Sequence, residues 1–251
     1  MSKRGNWDGR SPEKDTLRNR IWSMLEDSGY AMGETWSHIP NFVGADIAAW
    51  RLAQTPAWMN ATTIKVNPDP AQYQIRLRAL YEGKTLFCPV PALTQSYPYL
   101  RIDAATLQAK GVSFELAATH QGYFEHGTRI EFAEVPPLDF CVVGSVAVSR
   151  IGGRTGKGAG FADIETGIFR ELGTIGPQTP IATTIHSTQL VEADEIVMMD
   201  HDSPLDFIAT EAELIETHSA NPRPKGIMWD AIQPDQFEAI PFLRELQRRS
   251  Q

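Results

Sequence analysis

The sequence predicts an α/β fold: a mainly parallel sheet with helices on both faces. Three observations carry that expectation. Short apolar runs of strand length alternate with segments of helical period through most of the chain. Some runs, such as residues 85–90, are apolar throughout, as suits strands covered on both faces. The 251 residues, 42% of them hydrophobic, suffice for one large domain, and no linker-like stretch divides them. The expected organisation is a flexible tail over residues 1–10 and a single domain over 11–251.

Ser11-Pro12 opens the first helix, since serine caps well and proline fits the first helical position. Leu17, Ile21, Met24 and Leu25 recur at helical spacing, and Gly29 suits the stop. A second helix is expected over 43–54, with Ile47, Trp50 and Ala53 or Ala57 towards the core. Residues 62–66 read as a strand, 72–82 as a helix ended by Gly83, and 85–90 as a strand. The segment 91–134 is less regular. A strand at 100–102 and a helical turn at 104–108 are expected there, while the Gly, His and aromatic residues of 114–132 read as loops and small strands bordering a site. Residues 138–148 form a central strand, 161–172 a helix and 181–185 a further strand. Strand candidates follow at 206–210 and 227–232, and 235–249 closes the chain as a helix. Trp22, Trp50 and Trp58 read as packing residues on or near helices.

Charged residues are 22% and the net charge is −8, with a pI of about 5.3. That balance argues against a general nucleic-acid or membrane-surface binder. Cys88 and Cys141 lie in apolar runs, outside any metal or redox spacing, and read as buried reduced thiols. With a polar N-terminus and no long apolar run, the expectation is a cytoplasmic protein without a membrane partner.

The chemistry concentrates in Gly152-Gly153-Arg154-Thr155-Gly156-Lys157-Gly158-Ala159-Gly160-Phe161-Ala162-Asp163. It lies between the 138–148 strand and the 161–172 helix. Alternating glycines let the backbone approach a ligand, and successive N–H groups at a helix start bind anions. Arg154 and Lys157 add positive charge, and Asp163 sits one turn into the helix, a grouping that suits a nucleoside triphosphate with magnesium. The run has neither the P-loop spacing nor Gly-x-Gly-x-x-Gly. A glycine-rich turn without a ligand is the competing reading.

Lys14 and Arg18, four apart on the first helix, project from one face and suit phosphate oxygens, or are simply two solvated charges. Asp202 and Asp206, in His201-Asp202-Ser203-Pro204-Leu205-Asp206, could bind magnesium, with His201 as a base, or serve as turn residues. His186, just past the 181–185 strand with Gln189, is a candidate for a ligand crevice. His38, His120, His126 and His218 share no metal-ligand spacing.

Together the Lys14/Arg18 helix, Pro137-Leu138-Asp139, the glycine run and the 201–210 element resemble the 5-formyltetrahydrofolate cyclo-ligase family over roughly residues 12–211. The pattern is nearest its divergent cyclo-ligase-like branch. The resemblance implies a three-layer α/β/α fold similar to the ribose-phosphate isomerase and CoA-transferase group. It also implies ATP and Mg2+ as cofactors and a small-molecule reduced folate as substrate. Lys14, Arg18, Arg154, Gly156, Lys157, Gly158, Ala159, Gly160 and Phe161 would bind the nucleotide, with Arg154 and Lys157 catalytic. Asp163 and Asp202 would serve the metal, and Asp69, Ala162 and His186 the substrate. Two departures bear on the substrate. Ala162 replaces a tyrosine of the family's pattern, and Asp69 is the nearest replacement for an acidic residue that meets folate. A folate- or nucleotide-binding protein without turnover is the alternative implied by those departures. On this reading Arg154 is a loop residue, so Arg154→Ala is expected to harm ATP use far more than folding.

Overall fold

The computed structural model describes residues 12–90 and 98–249; the expected tail, Ser11 and residues 91–97 lie outside them. The first half of the chain gives α1 (Pro12–Asp27), α2 (Ala45–Ala53), α3 (Pro56–Asn60), β1 (Thr63–Val66), α4 (Tyr73–Tyr81), β2 (Thr85–Pro89), β3 (Tyr99–Ile102), α5 (Ala104–Ala109), α6 (Phe114–Ala118), α7 (His120–His126) and β4 (Thr128–Ile130). The second half gives β5 (Phe140–Val142), β6 (Ala147–Ser149), β7 (Arg154–Thr155), α8 (Phe161–Glu171), β8 (Ile181–Thr184), β9 (Leu190–Val191), β10 (Phe207–Ala209), β11 (Leu214–Glu216), α9 (Pro234–Ala239) and α10 (Pro241–Arg249).

Eight strands pair in the order β11-β10-β8-β5-β1-β2-β3-β4. The five central ones, β10 to β2, are parallel, and antiparallel strands close both edges. Side chains alternate across the sheet. Ile64, Val66, Leu86 and Val142 pack with Leu17, Ile21 and Leu52 of α1 and α2 on one face. Phe87, Cys141 and Ile208 pack with Ile168, Phe169 and Leu243 of α8 and α10 on the other. Each such side chain contributes about 1.5–3 kcal/mol on burial. The layers are therefore helix, sheet, helix, as the alternating pattern predicts. From β1 the sheet grows to β2 on one side and to β5 and β8 on the other. The β1/β5 boundary is thus the point where the strand order reverses, where open α/β sheets form a crevice.

Several local expectations are corrected. Helix α2 starts at Ala45, after Gly44 at φ 87, and its inner face is Ala45, Ala48, Ala49, Leu52 and Ala53. Ile47 and Trp50 are 43% and 48% exposed, because the close approach of α2 to the sheet selects alanines. Residues 114–132 hold α6 and α7, which Ser113 and Thr119 cap through bonds from the N–H groups of Leu116 and Gly122. The 138–148 strand divides. Residues 140–142 stay in the main sheet, and 147–149 join a three-stranded sheet, β7-β6-β9. The break is at Gly144, where a Cβ would lie 2.8 Å from Ile39 and 3.1 Å from Asp69 Oδ2. Residues 229–231 form a 3-10 turn, where a strand was expected. The closing helix is two, since Pro241 holds Ile240 in an extended conformation. Cys88 and Cys141 are buried free thiols, as expected, and burial pushes both up to about 12.

Candidate functional site

The glycine run has two parts with different tasks. Gly152-Gly153 turns the chain between β6 and β7. A Cβ on Gly152 would lie 2.6 Å from the Leu205 carbonyl, and one on Gly153 would lie 2.7 Å from Ser149 Oγ. These glycines permit close packing. Residues 156–160 form the loop that leads into α8. Gly158 has φ 110, and Gly160 has φ 69 as the N-cap of the helix. Among the described residues, nothing accepts from the backbone N–H groups of Lys157, Gly158, Ala159 or Gly160. Unused donors ahead of an eleven-residue helix attract an anion, and the helix dipole adds to that attraction. Thr155, directly before the loop, also has a buried hydroxyl with no partner among the described residues.

Four cations surround the loop. Arg18 donates from Nε to the Gly156 carbonyl at 2.7 Å and from NH1 to Asp15 at 2.6 Å. Lys14 Nζ lies 3.0 Å from Asp202 Oδ2. Lys157 Nζ lies 2.9 Å from Asp69 Oδ1. Arg154 donates to the Gly144 carbonyl at 3.0 Å and to Asp163 Oδ2 at 2.5 Å. Arg154 sits in strand β7 and is only 7% exposed. The expectation that it has little part in folding is therefore corrected, because its removal would strand a buried carboxylate. Burial opposes its charge, but Asp163, Asp202 and Asp69 outweigh burial and raise its pKa.

The structure brings Lys14, Arg18, Asp69, Arg154, Lys157, Asp163 and Asp202 around one loop. Asp69 follows β1 and adjoins Gly144 after β5, so it stands at the reversal point of the sheet. Ala162 is a half-buried residue in the first turn of α8. His186 is placed elsewhere: it stacks on Tyr30 with ring centroids 4.1 Å apart and lies 3.6 Å from Glu211, and burial lowers its pKa. Asp206 also leaves the group, bonding Arg223 and the Ile181 N–H. Asp163 Oδ1 accepts from the Ser203 N–H at 3.2 Å, and Asp202 Oδ2 accepts from the Met199 N–H at 2.9 Å. Among the described residues, no group of three His, Cys, Asp or Glu side chains is placed to hold a metal ion. Asp163 and Asp202 offer two carboxylates, a donor set that suits magnesium when phosphate oxygens and water complete the shell.

Some neighbours were not found in the sequence. Gln236 donates to the Ala159 carbonyl at 2.7 Å, holding the loop from 77 residues away. No local pattern marks such a contact. Beneath α8, Lys65 pairs with Glu165, which also accepts from Tyr99, and all three are buried. A lysine in an otherwise apolar strand was the available signal. Beside the loop, Gly160, Asp163, Ile164, Ile227, Ile232 and Gln236 help to line a small cleft with a cavity volume of about 40 Å³.

The 5-formyltetrahydrofolate cyclo-ligase family model matches residues 10–211. A methenyltetrahydrofolate synthase domain-containing protein of Mus musculus is 37% identical over 238 residues, covering 94% of this chain and 63% of its own length. That of Homo sapiens is 33% identical over 240 residues, covering 95% and 62%. The chain thus spans under two thirds of these relatives. The solved 5,10-methenyltetrahydrofolate synthetase of Aquifex aeolicus superposes with a TM-score of 0.51 at 17% identity, covering 83% of this chain and 95% of that one, a likeness of fold. A loop of unused amides ringed by Lys14, Arg18, Arg154 and Lys157, on a sheet of this topology, agrees with the match over residues 10–211: the chain belongs to the 5-formyltetrahydrofolate cyclo-ligase family.

Proposed function

We propose that the chain catalyses the ATP- and Mg-dependent closure of 5-formyltetrahydrofolate, or a related reduced folate, to 5,10-methenyltetrahydrofolate in the cytoplasm. The observation that carries this reading is the convergence of four cations on the 156–160 loop, whose successive N–H groups have no acceptor among the described residues. Lys14 and Arg18 would hold the triphosphate. Arg154, Lys157 and the amides of 156–161 would surround the transferred phosphoryl group. Asp163 and Asp202 would hold the magnesium ion, which when bound would neutralise phosphate charge.

The formyl oxygen is a weak nucleophile. Its attack on the γ-phosphorus of ATP breaks the bond to the leaving ADP oxygen and places charge on the equatorial oxygens. The loop amides and cations stabilise that charge without reorganising. The neighbouring amine then adds to the activated carbon, loses its proton, and phosphate departs. Asp69 would orient the folate at the reversal point of the sheet, which makes ring closure largely a matter of approach.

A second reading, a folate- or nucleotide-binding protein without turnover, is favoured by Ala162 and by the lysine pairs that occupy Asp69 and Asp202. One experiment separates the two. Purified protein is mixed with MgATP and 5-formyltetrahydrofolate, and methenyl absorbance and ADP are followed together. The enzyme reading expects both to rise in equal amounts. No product at high protein concentration, with thermal stabilisation by either ligand, selects the binding reading.

A further inference from the structure

We propose that helix α2 is the seam of a homodimer, in which a second copy of this chain packs its own α2 alongside in parallel. The inner face of α2, Ala45, Ala48, Ala49, Leu52 and Ala53, is buried. Its outer face is apolar as well. Ile47 and Trp50 remain 43% and 48% exposed, and Val43, just ahead of the helix, is 49% exposed. Single exposed apolar side chains are ordinary, but a contiguous patch marks a contact surface. This patch is contiguous. Val43, Ile47, Trp50 and Gln54 follow at spacings of four, three and four, so they share one stripe. The Val43 N–H donates to the Tyr30 carbonyl at 2.9 Å, and the Met32 N–H donates to the Asn41 carbonyl at 2.8 Å. Those bonds bring the exposed Tyr30 and Met32 to the end of the stripe. The stack on His186 holds the Tyr30 ring in place. No residue of the stripe belongs to the group of cations and carboxylates around the glycine loop.

The charges beside the stripe choose the occupant. Asp46 precedes Ile47 on one flank, and Arg51 follows Trp50 on the other. Two parallel helices packed along such a stripe set a flanking residue of one opposite the residue five positions later on the other. That register sets Asp46 against the partner's Arg51 and, by symmetry, Arg51 against the partner's Asp46. An antiparallel pair would instead set Asp46 against the partner's Asp46 and Arg51 against the partner's Arg51, which opposes like charges. Both groups are available. Asp46 is exposed and has no ion-pair partner among the described residues. Arg51 donates from Nε and NH2 to the Glu211 carbonyl at 3.4 and 3.3 Å. That contact steadies the guanidinium and leaves NH1 without a partner among the described residues. The face is therefore complementary to itself, as a two-fold contact requires. Ile47 and Trp50 of each copy supply the burial, and the rim charges set the direction. Nine residues of helix are too few to pair as a free peptide, but α2 is already fixed on the sheet when it meets its partner.

Sedimentation equilibrium of the whole chain, over about a hundredfold range of concentration, tests the seam. The wild type should pass from monomer to dimer within that range. Trp50→Ala removes the largest anchor and should weaken dimerisation by about tenfold or more. Asp46→Arg sets arginine against arginine twice and should weaken it by about as much. Adding Arg51→Asp to Asp46→Arg restores opposite charges, and should return the affinity to within about threefold of the wild type. Circular dichroism and thermal midpoints establish that each variant is folded, as expected for side chains outside the core. A wild type that stays monomeric throughout, or that forms only larger assemblies, overturns the proposal. So does a dimer that Trp50→Ala leaves intact, or a folded double variant that dimerises no better than Asp46→Arg alone.

Discussion

Asp139 is the clearest case of a motif residue whose task is structural. Its Oδ2 accepts from the Thr62 and Thr63 N–H groups at 2.8 and 3.0 Å and from their hydroxyls at 2.9 and 3.0 Å. Partial burial raises its pKa, but the four donors outweigh burial and lower it. A lowered carboxylate pKa contributes stability above the unfolded value, near pH 4, and that stability is lost as pH falls through the folded value. Asp139→Asn should therefore cost about 1 kcal/mol at pH 7, after allowance for solvent, and progressively less below pH 4. Urea midpoints for both proteins across that range check this; a gap independent of pH contradicts it. Residue chemistry was legible where it lay in a compact pattern: Lys14 and Arg18, four apart on one helix face, do lie beside the same loop, whereas the pairing of Lys157 with Asp69, 88 residues away, has no local signal. The burial of Arg154 was not legible, because a glycine-rich run gives no sign that its arginine occupies a strand.

At the scale of elements, the bond between β1 and α8 is the most demanding. Lys65 and Glu165 are buried as an ion pair between strand and helix, with Asn67 and Tyr99 completing their hydrogen bonds. Burial nevertheless raises the Glu165 pKa despite the attraction of Lys65. Lys65→Met leaves a carboxylate without its cation and should destabilise the protein by roughly 3–5 kcal/mol. Replacing both partners, with Glu165→Leu added, should recover part of that loss, although Tyr99 then lacks its acceptor. Chemical denaturation of the two variants measures the difference, and equal losses would contradict this account. Element types were legible from period wherever segments were long. Facing was not: α2 carries two amphipathic choices, and the close approach of the sheet chose alanines over Ile47 and Trp50. The course of 138–148 was hidden because an apolar run does not reveal that its strand changes sheets at Gly144.

At the scale of the whole molecule, the parallel sheet was legible because its signal repeats along the chain. The docking of residues 226–249 was not, since a helical pattern says what a segment becomes and not where it settles. Gly167 controls that docking, because any side chain there meets the Gly226 carbonyl at 3.2 Å and Ile227 Cα at 3.3 Å. Gly167→Leu should cost about 1–3 kcal/mol. It should also make residues 220–240 the first site of proteolytic cleavage, read by mass spectrometry; cleavage elsewhere first contradicts this. The bond from Gln236 to Ala159 has a temporal side as well. On the ribosome, the loop emerges long before its clasp is synthesised. A nascent chain can complete its sheet early, yet it acquires the finished grip on the loop only once Gln236 has been synthesised.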